Sequence, residues 1–397
     1  MILNQTPAHE LGRFLKPLLH FGFLLSGMLT VLIGQVLPIL SARLLLDDTQ
    51  AGYFFTAQFF GSLMGTFLTQ MFVRRFGFGG AIVLGFLAML VGVLGLNSDA
   101  WLFCAAACVV NGFGIGVTLP AINMLTVELN PQNITPALNF LNFFWGVGAI
   151  FCKPFIDFFG TPTSVLQPTL ILVILLFVTG SAIGFASHRS RRKESFDRIE
   201  NENPMPIWTT STAWLIAVFN FVHVGFESGT GSWITTYAMR LPNQDGGAAW
   251  LSPTFAYFLF FVLGRFVAPL YVRFLNENQM LLLGLLTTTL GIIVLLLGNT
   301  LGILALGAAI AGFGTSSIFP TNMARFTKTF GATATRRATP LFICGTLGAA
   351  LTTWLIGYIS TNYNDLRVGM IVLLGSCLFL ICLQVFLYAR SRTTVST

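Results

Sequence analysis

Residues 111–120 read NGFGIGVTLP and residues 311–320 read AGFGTSSIFP, and the two align without a gap. Asn123-Met124 beyond the first is echoed by Asn322-Met323 beyond the second. Another pair keeps nearly the same offset: AQFFGSLMGTF from Ala57 aligns with AYFLFFVLGRF from Ala256, and Val73-Arg74 with Val272-Arg273. Chance matches among apolar residues would not hold register over half a chain, so the pattern indicates duplication of a large unit.

That unit is built for lipid. The 397 residues are 55% hydrophobic and only 9% charged, where soluble domains carry about 25% charged residues. A membrane-crossing helix needs about 20 mainly apolar residues. Twelve runs satisfy this, near 17–44, 50–73, 78–97, 101–127, 136–159, 167–187, 209–238, 253–274, 279–298, 301–326, 338–360 and 368–389. The expected fold is an all-α integral membrane protein with twelve transmembrane helices in two six-helix pseudo-symmetric bundles, residues 1–187 and 208–397, joined by a cytoplasmic linker at 188–207. Six spans per copy make both copies run the same way through the bilayer, and parallel repeats with a site between them mark a rocking transporter.

Arg74, Arg75, Arg189, Arg191, Arg192, Lys193, Arg198, Arg273, Lys328, Arg336, Arg337, Arg390 and Arg392 fall on one side of these spans, and Asp47, Asp48, Asp99, Asp157, Asp245 and Asp365 on the other. The positive-inside rule places both termini and the linker in the cytoplasm, in an inner or plasma membrane of bacterial type. The net charge of +7 is therefore topological, and no nucleic-acid partner is expected. Cys104, Cys108, Cys152, Cys344, Cys377 and Cys382 lie in apolar segments without metal spacing and are expected to pack helices. Glu10, Arg13 and Lys16 precede the first span without a small-residue cleavage site, so that span is expected to be retained. No HExxH, GxSxG or Walker pattern occurs, which argues against an enzyme or an ATP-driven pump. No cofactor is expected, and the partners are lipid and a small solute, with the chain acting as a monomer.

The stretch Phe219–Arg240, FNFVHVGFESGTGSWITTYAMR, carries the chemistry. Glu227 is costly there, by about 2.5–3.5 kcal/mol on the gentlest scale, and such residues usually face a cavity on a substrate or ion path. It can take up a coupling proton, ligate sodium, or stay ionised against a fixed cation and hold substrate hydroxyls. Asn220, His223 and Glu227 share one helix face, and His223 either shares the proton of Glu227 or is an uncharged helix contact. Gly225, Gly229 and Gly231 either let this span bend or let a neighbour pack closely. On span five Asn139, Asn142 and Trp145 also share a face, and amides ending in an indole suit a sugar, with interhelical amide contacts as the alternative. Gln35, Gln58, Asn111, Asn123, Asn322, Trp233 and Trp354 complete the candidate substrate contacts. Lys153 is expected to snorkel or to pair with Asp157 rather than to bridge Glu227. Arg265 and Arg325 are expected to brace an inner gate through helix carbonyls and Glu277, although a buried Arg can also bind an anionic substrate. Pro38, Pro120, Pro154, Pro269 and Pro320 are expected to kink their spans.

Over its whole length the chain resembles the major facilitator superfamily. Gly61, Gly65, Arg74, Arg75 and Gly77 fit the outline of its second-span signature, with Arg74 where the family usually has Asp; Glu128 can pair with either arginine. The segments FVLGRFVAPLYVRF, GFGTSSIFPTNMARFTKTFG and GTLGAALTTWLIGYIS, with the acid and Gly-Ser-Trp of span seven, are similar to its fucose-permease-like and sodium-glucose-transporter-like branch. The resemblance implies alternating access, a monosaccharide or polyol as substrate, and symport of a proton or sodium. Proton-coupled members of that branch carry acids in spans one and four, where this chain has Thr30, Gln35, Asn111 and Asn123. Export of amphipathic drugs or lipids, and organic-anion transport, are the other readings.

Overall fold

The computed structural model describes residues 6–130, 134–161, 163–189, 207–240, 252–271, 274–330 and 338–393. They form helices α1 (Thr6–Leu44), α2 (Asp48–Gly95), α3 (Trp101–Leu129), α4 (Ile134–Phe159), α5 (Leu166–Arg189), α6 (Ser211–Met239), α7 (Pro253–Tyr271), α8 (Glu277–Leu297), α9 (Leu301–Thr315), α10 (Ile318–Phe330), α11 (Thr339–Tyr363) and α12 (Leu366–Thr393). Among the described residues, eight stretches are long and apolar enough to cross a membrane, α2 and the joined α9–α10 among them.

The α-helices among the described residues are twelve, but the spans are counted differently. Helix α2 contains two spans, because Gly77 interrupts it with φ 74° and ψ 172°. Added side-chain atoms at Gly61 and at Gly92 would both strike α3, at Val109 and Asn111, and those at Gly65 and Gly85 would strike α3 at Phe113 and Gly114. Positions before and after Gly77 thus meet the same part of α3, so the chain reverses there and α2 is a helical hairpin with Gly77 at its tip. Only glycine takes that backbone conformation cheaply. In the second half the opposite occurs: one span is split into α9 and α10 at Ser316-Ser317.

The duplication is visible as matched packing. Gly112 lies so close to α2 that a side-chain carbon would sit 1.9 Å from the Gln58 carbonyl, and one on Gly312 would sit 2.2 Å from the Tyr257 carbonyl of α7. A carbon added to Gly148 would meet Leu24 O of α1 at 2.0 Å, and one on Gly348 would meet Phe221 O of α6 at 1.9 Å. Without a hydrophobic drive between helices in lipid, small residues that let backbones approach supply dispersion contact instead. Helices α1–α5 and α6–α12 thus repeat one packing scheme. Residues 190–206 of the expected linker lie outside the described residues, as do Asp245, Arg273, Arg336 and Arg337.

The halves meet closely at one end. There a carbon added to Gly34 of α1 would lie 2.9 Å from Ser232 O of α6, one on Gly52 of α2 would lie 3.2 Å from Trp354 Cα of α11, and one on Gly357 of α11 would lie 2.1 Å from Asp48 O. Along the α2 stripe facing α11, Asp48 and Gly52 are buried, Thr56, Phe59 and Leu63 are half-buried, and Thr66 and Gln70 are exposed. The seam thus closes at the end carrying Asp47 and Asp48 and opens towards the end carrying Arg74 and Arg75.

Candidate functional site

Helix α6 runs through the centre of the second half, with α1, α7, α9, α10, α11 and α12 packed around it. It stays helical through Gly225, Gly229 and Gly231, so those glycines serve packing and not bending. A side-chain carbon at Gly225 would sit 2.3 Å from the Thr352 hydroxyl, and those at Gly229 and Gly231 would sit 3.0 Å from Ile356 and 3.1 Å from Phe258. Close approach on two sides leaves Glu227 on a remaining face. Its side chain is 25% exposed while that of His223, one turn earlier, is 1% exposed. Glu227 is thus partly accessible where its neighbour His223 is shut in.

Around it the second half assembles a polar cluster. His223 Nε2 lies 4.0 Å from Glu227 Oε2 and is hydrogen-bonded to Thr315 Oγ1 at 3.0 Å. Tyr257 Oη donates to the backbone carbonyl of Glu227 at 3.4 Å. The break between α9 and α10 frees the Ser316 carbonyl, which accepts from Arg265 Nε at 3.3 Å. The Arg265 guanidinium lies 4.1 Å from the centre of the Phe261 ring, and it and the Glu227 carboxylate act on each other electrostatically. This is a carboxylate with a fixed cation, a histidine and a phenol close by, at a broken helix.

Most of the amides and indoles expected at a solute site are engaged with helix backbone. Gln58 donates to Leu29 O and Thr30 O at 3.2 Å, Asn123 to Leu119 O at 2.9 Å, Asn142 to Leu138 O at 2.8 Å and Asn220 to Leu341 O at 2.9 Å. Asn322 donates to Ile216 O at 3.5 Å and accepts from Arg325. Both amide atoms of Asn111 are buried without a hydrogen-bond partner among the described residues, against Gly92. The Asn139 side chain lies outside the described residues, Asn142 is exposed and Trp145 is half-buried. Helix α4 meets the second half through α7, where Gly146 admits Val262. Trp233 is fully buried, donates to Thr353 O at 2.9 Å and meets the Phe55 ring edge-on across the seam. Trp354 stacks on Tyr358, and its buried indole N–H has no partner among the described residues.

The charged residues divide similarly. Lys153 pairs with Asp157 one turn on, as expected. Arg265 uses a helix carbonyl, also as expected, but Glu277 is taken by Lys328 at 3.1 Å, a correction to its bracing role. Arg325 donates to Gln384 Oε1 at 2.7 Å and to Asn322, and covers the Phe219 ring at 4.8 Å. Arg75 lies over Phe76 at 5.5 Å; with Arg74, Phe67, Gln70 and Met71 it borders an open cavity at the hairpin tip. Glu128 is exposed at the end of α3.

The sequence reading did not find the cluster that joins the halves. Arg240, at the end of α6, donates through Nη1 and Nη2 to Asp48 Oδ2 and Oδ1 at 2.6 and 2.5 Å, and Ser360 of α11 donates to the same carboxylate. Asp48 is 7% exposed. Beside it Thr49 N donates to Thr361 Oγ1 at 2.9 Å, and Gln35 Oε1 accepts from Thr235 at 2.8 Å. The only signal was opposite charge at span ends; helical period alone does not say which ends meet.

Residues 19–342 match the sequence profile of the Major Facilitator Superfamily. The chain belongs to that family. An uncharacterised MFS-type transporter of Yersinia pestis is 22% identical over 388 residues, covering 94% of each chain. Among solved structures, a mutant form of the nucleoside transporter NupG superposes with a TM-score of 0.78 at 12% identity, covering 94% of this chain and all of that one. A variant of the Escherichia coli fucose:proton symporter FucP gives 0.61 at 16% identity over 94% and 98%. At such identities the structural likeness establishes the major facilitator fold alone; membership of the family makes the chain a multi-pass membrane transporter and not an enzyme.

Proposed function

We propose that this superfamily member is a secondary active transporter of a small polar solute, a monosaccharide or related polyol, driven by symport of a proton or sodium. One observation carries the reading: Glu227 is a carboxylate set mid-span whose side chain is 25% exposed, 4.0 Å from the buried His223. A mid-membrane carboxylate of that kind serves an ion or a solute, because it costs the fold stability. The kinship with a fucose:proton symporter and a nucleoside transporter supports a hydroxyl-rich ring as cargo. The solute binds between the α4 and α6 faces, both termini lie in the cytoplasm, and the halves rock about the site. Loaded carrier can shift the balance between states only by binding them differently, so the solute contacts both halves.

Uptake of labelled hexoses into proteoliposomes, with a proton gradient, a sodium gradient or neither, tests this. Accumulation is expected to need one gradient and to vanish in Glu227→Gln, while solute exchange continues. Equal loss of both would make Glu227 a binding residue, and no uptake of any hexose would contradict the sugar reading. Arg265 favours one second reading, an organic anion held by that guanidinium; inhibition of uptake by carboxylates but not by hexoses would select it.

A further inference from the structure

We infer that the second half holds a docking slot for one acyl chain of a phospholipid, between α7 and α8 where α9 breaks from α10, and that the docked chain steadies that break. The inference does not depend on the solute or the coupling ion. A cavity of about 160 Å³ lies there, walled by Gly264 of α7, Met280, Leu283 and Gly284 of α8, and Phe313 and Gly314 of α9. An apolar cavity of about 150 Å³ stays dry and takes up small apolar groups. The polar groups of Ser316 at the break are already engaged, its hydroxyl with Phe313 O at 2.6 Å and its carbonyl with Arg265 Nε at 3.3 Å, so the slot offers an occupant mostly carbon. Both Met280 and Thr287 border it, which is about 10 Å of helix at 1.5 Å per residue. That volume over that length is narrow, the shape of an extended hydrocarbon chain and not of a sugar ring.

The mouth of the slot faces the bilayer. Leu283 both lines the cavity and is 54% exposed. With Leu286, Leu290 and Leu297 it forms an exposed apolar stripe on one face of α8, and Phe266, Leu270 and Phe274 form a like stripe on α7. In a membrane transporter such stripes meet lipid, and a slot opening between them fills sideways from the hydrocarbon. The other copy of the duplicated unit is closed at the matching place. Gly116, aligned with Ser316, seats α3 so tightly on α2 that an added carbon would lie 2.1 Å from Ser62 O. Where the first copy packs helix on helix, the second leaves a gap for a lipid chain to complete. Arg265 follows the lining residue Gly264 and rests on Ser316 O, so the docked chain braces the segment that holds this guanidinium.

The test reconstitutes the full chain with a phosphatidylglycerol that carries a diazirine on one acyl chain, and reads the labelled residues by mass spectrometry after illumination. Met280 is 8% exposed, out of reach of lipid that only coats the surface, whereas Leu286 on the same helix is 51% exposed. Both are expected to be labelled. Thr287→Phe places a ring in the slot from a half-buried wall position. It is expected to cut labelling of Met280 about tenfold, as a tenfold weaker site would, and to leave Leu286 unchanged. Thr287→Val, which keeps the volume, is expected to label as the parent does. Removing lipid is expected to speed amide exchange at residues 316–318 in the parent but not in Thr287→Phe. Labelling of Leu286 without Met280 overturns the inference, and this outcome needs no variant. So does labelling of Met280 that persists in folded Thr287→Phe, labelling of Met280 by a water-soluble diazirine in place of the lipid, or exchange in the parent that ignores lipid.

Discussion

Gly112 and Gly312 show what a single position decides in this protein. A carbon added to Gly112 would overlap the Gln58 carbonyl at 1.9 Å, and the atom it meets is backbone, which cannot swing away. Gly112→Val is expected to separate α3 from α2 and to cost at least the roughly 1–3 kcal/mol typical of overpacking; a lower melting temperature in detergent would show it. Gly302 is the control, since nothing lies within 4 Å of its added carbon, and Gly302→Ala is expected to leave melting unchanged. Gly77→Ala strains a backbone at φ 74° and ψ 172°, a region essentially reserved to glycine, and is expected to cost about 1–3 kcal/mol. At this scale the sequence was partly legible. Glu227 stood out because an ionisable group in an apolar run is anomalous by itself. The destinations of Gln58, Asn220 and Trp233 were not legible, since a 3.6-residue period assigns a side chain to a face but not that face to a neighbour.

Helix ends and breaks belong to the next scale. Arg43, in the last turn of α1, donates to Leu96 O and Ser98 O at 2.5 and 3.0 Å and lies 3.8 Å from Asp99. It thereby satisfies carbonyls that the end of α2 leaves without helical partners. Arg43→Ala is expected to destabilise by about 1.5–3 kcal/mol, the range for hydrogen bonds to a charged group, read as a fall in melting temperature. The contrast between Pro120 and Pro320 was not visible beforehand. Both prolines were expected to kink their spans, yet α3 continues through Pro120 while the aligned span breaks into α9 and α10 just before Pro320. The difference lies upstream. Gly116 packs with its added carbon 2.1 Å from Ser62 O, which holds α3 against α2, whereas the aligned Ser316 turns its hydroxyl to Phe313 O at 2.6 Å and gives its carbonyl to Arg265.

For the whole molecule, the duplicated glycine segments pointed to two related halves, and Gly112 and Gly312 do pack alike against their neighbours. Which face is closed was beyond the sequence, because one sequence must serve both open states and states that interconvert differ by only a few kcal/mol. The asymmetry rests on particular groups: Asp48, Arg240 and Ser360 at the closed end, and Thr66 and Gln70 left exposed towards the other. If the halves move as units, loosening one face must tighten the other. Spin labels at Leu102 and Gly302, both exposed at the starts of α3 and α9 on the side of Asp48, report one face. Labels at Arg75 and Phe274, exposed on the hairpin tip and the α7–α8 turn, report the opposite one. Pulsed dipolar distances for both pairs, in the parent and in Arg240→Gln, test the account most directly. The Leu102–Gly302 distance is expected to lengthen in the variant while Arg75–Phe274 shortens; a change at one face alone, or in the same direction at both, would contradict it.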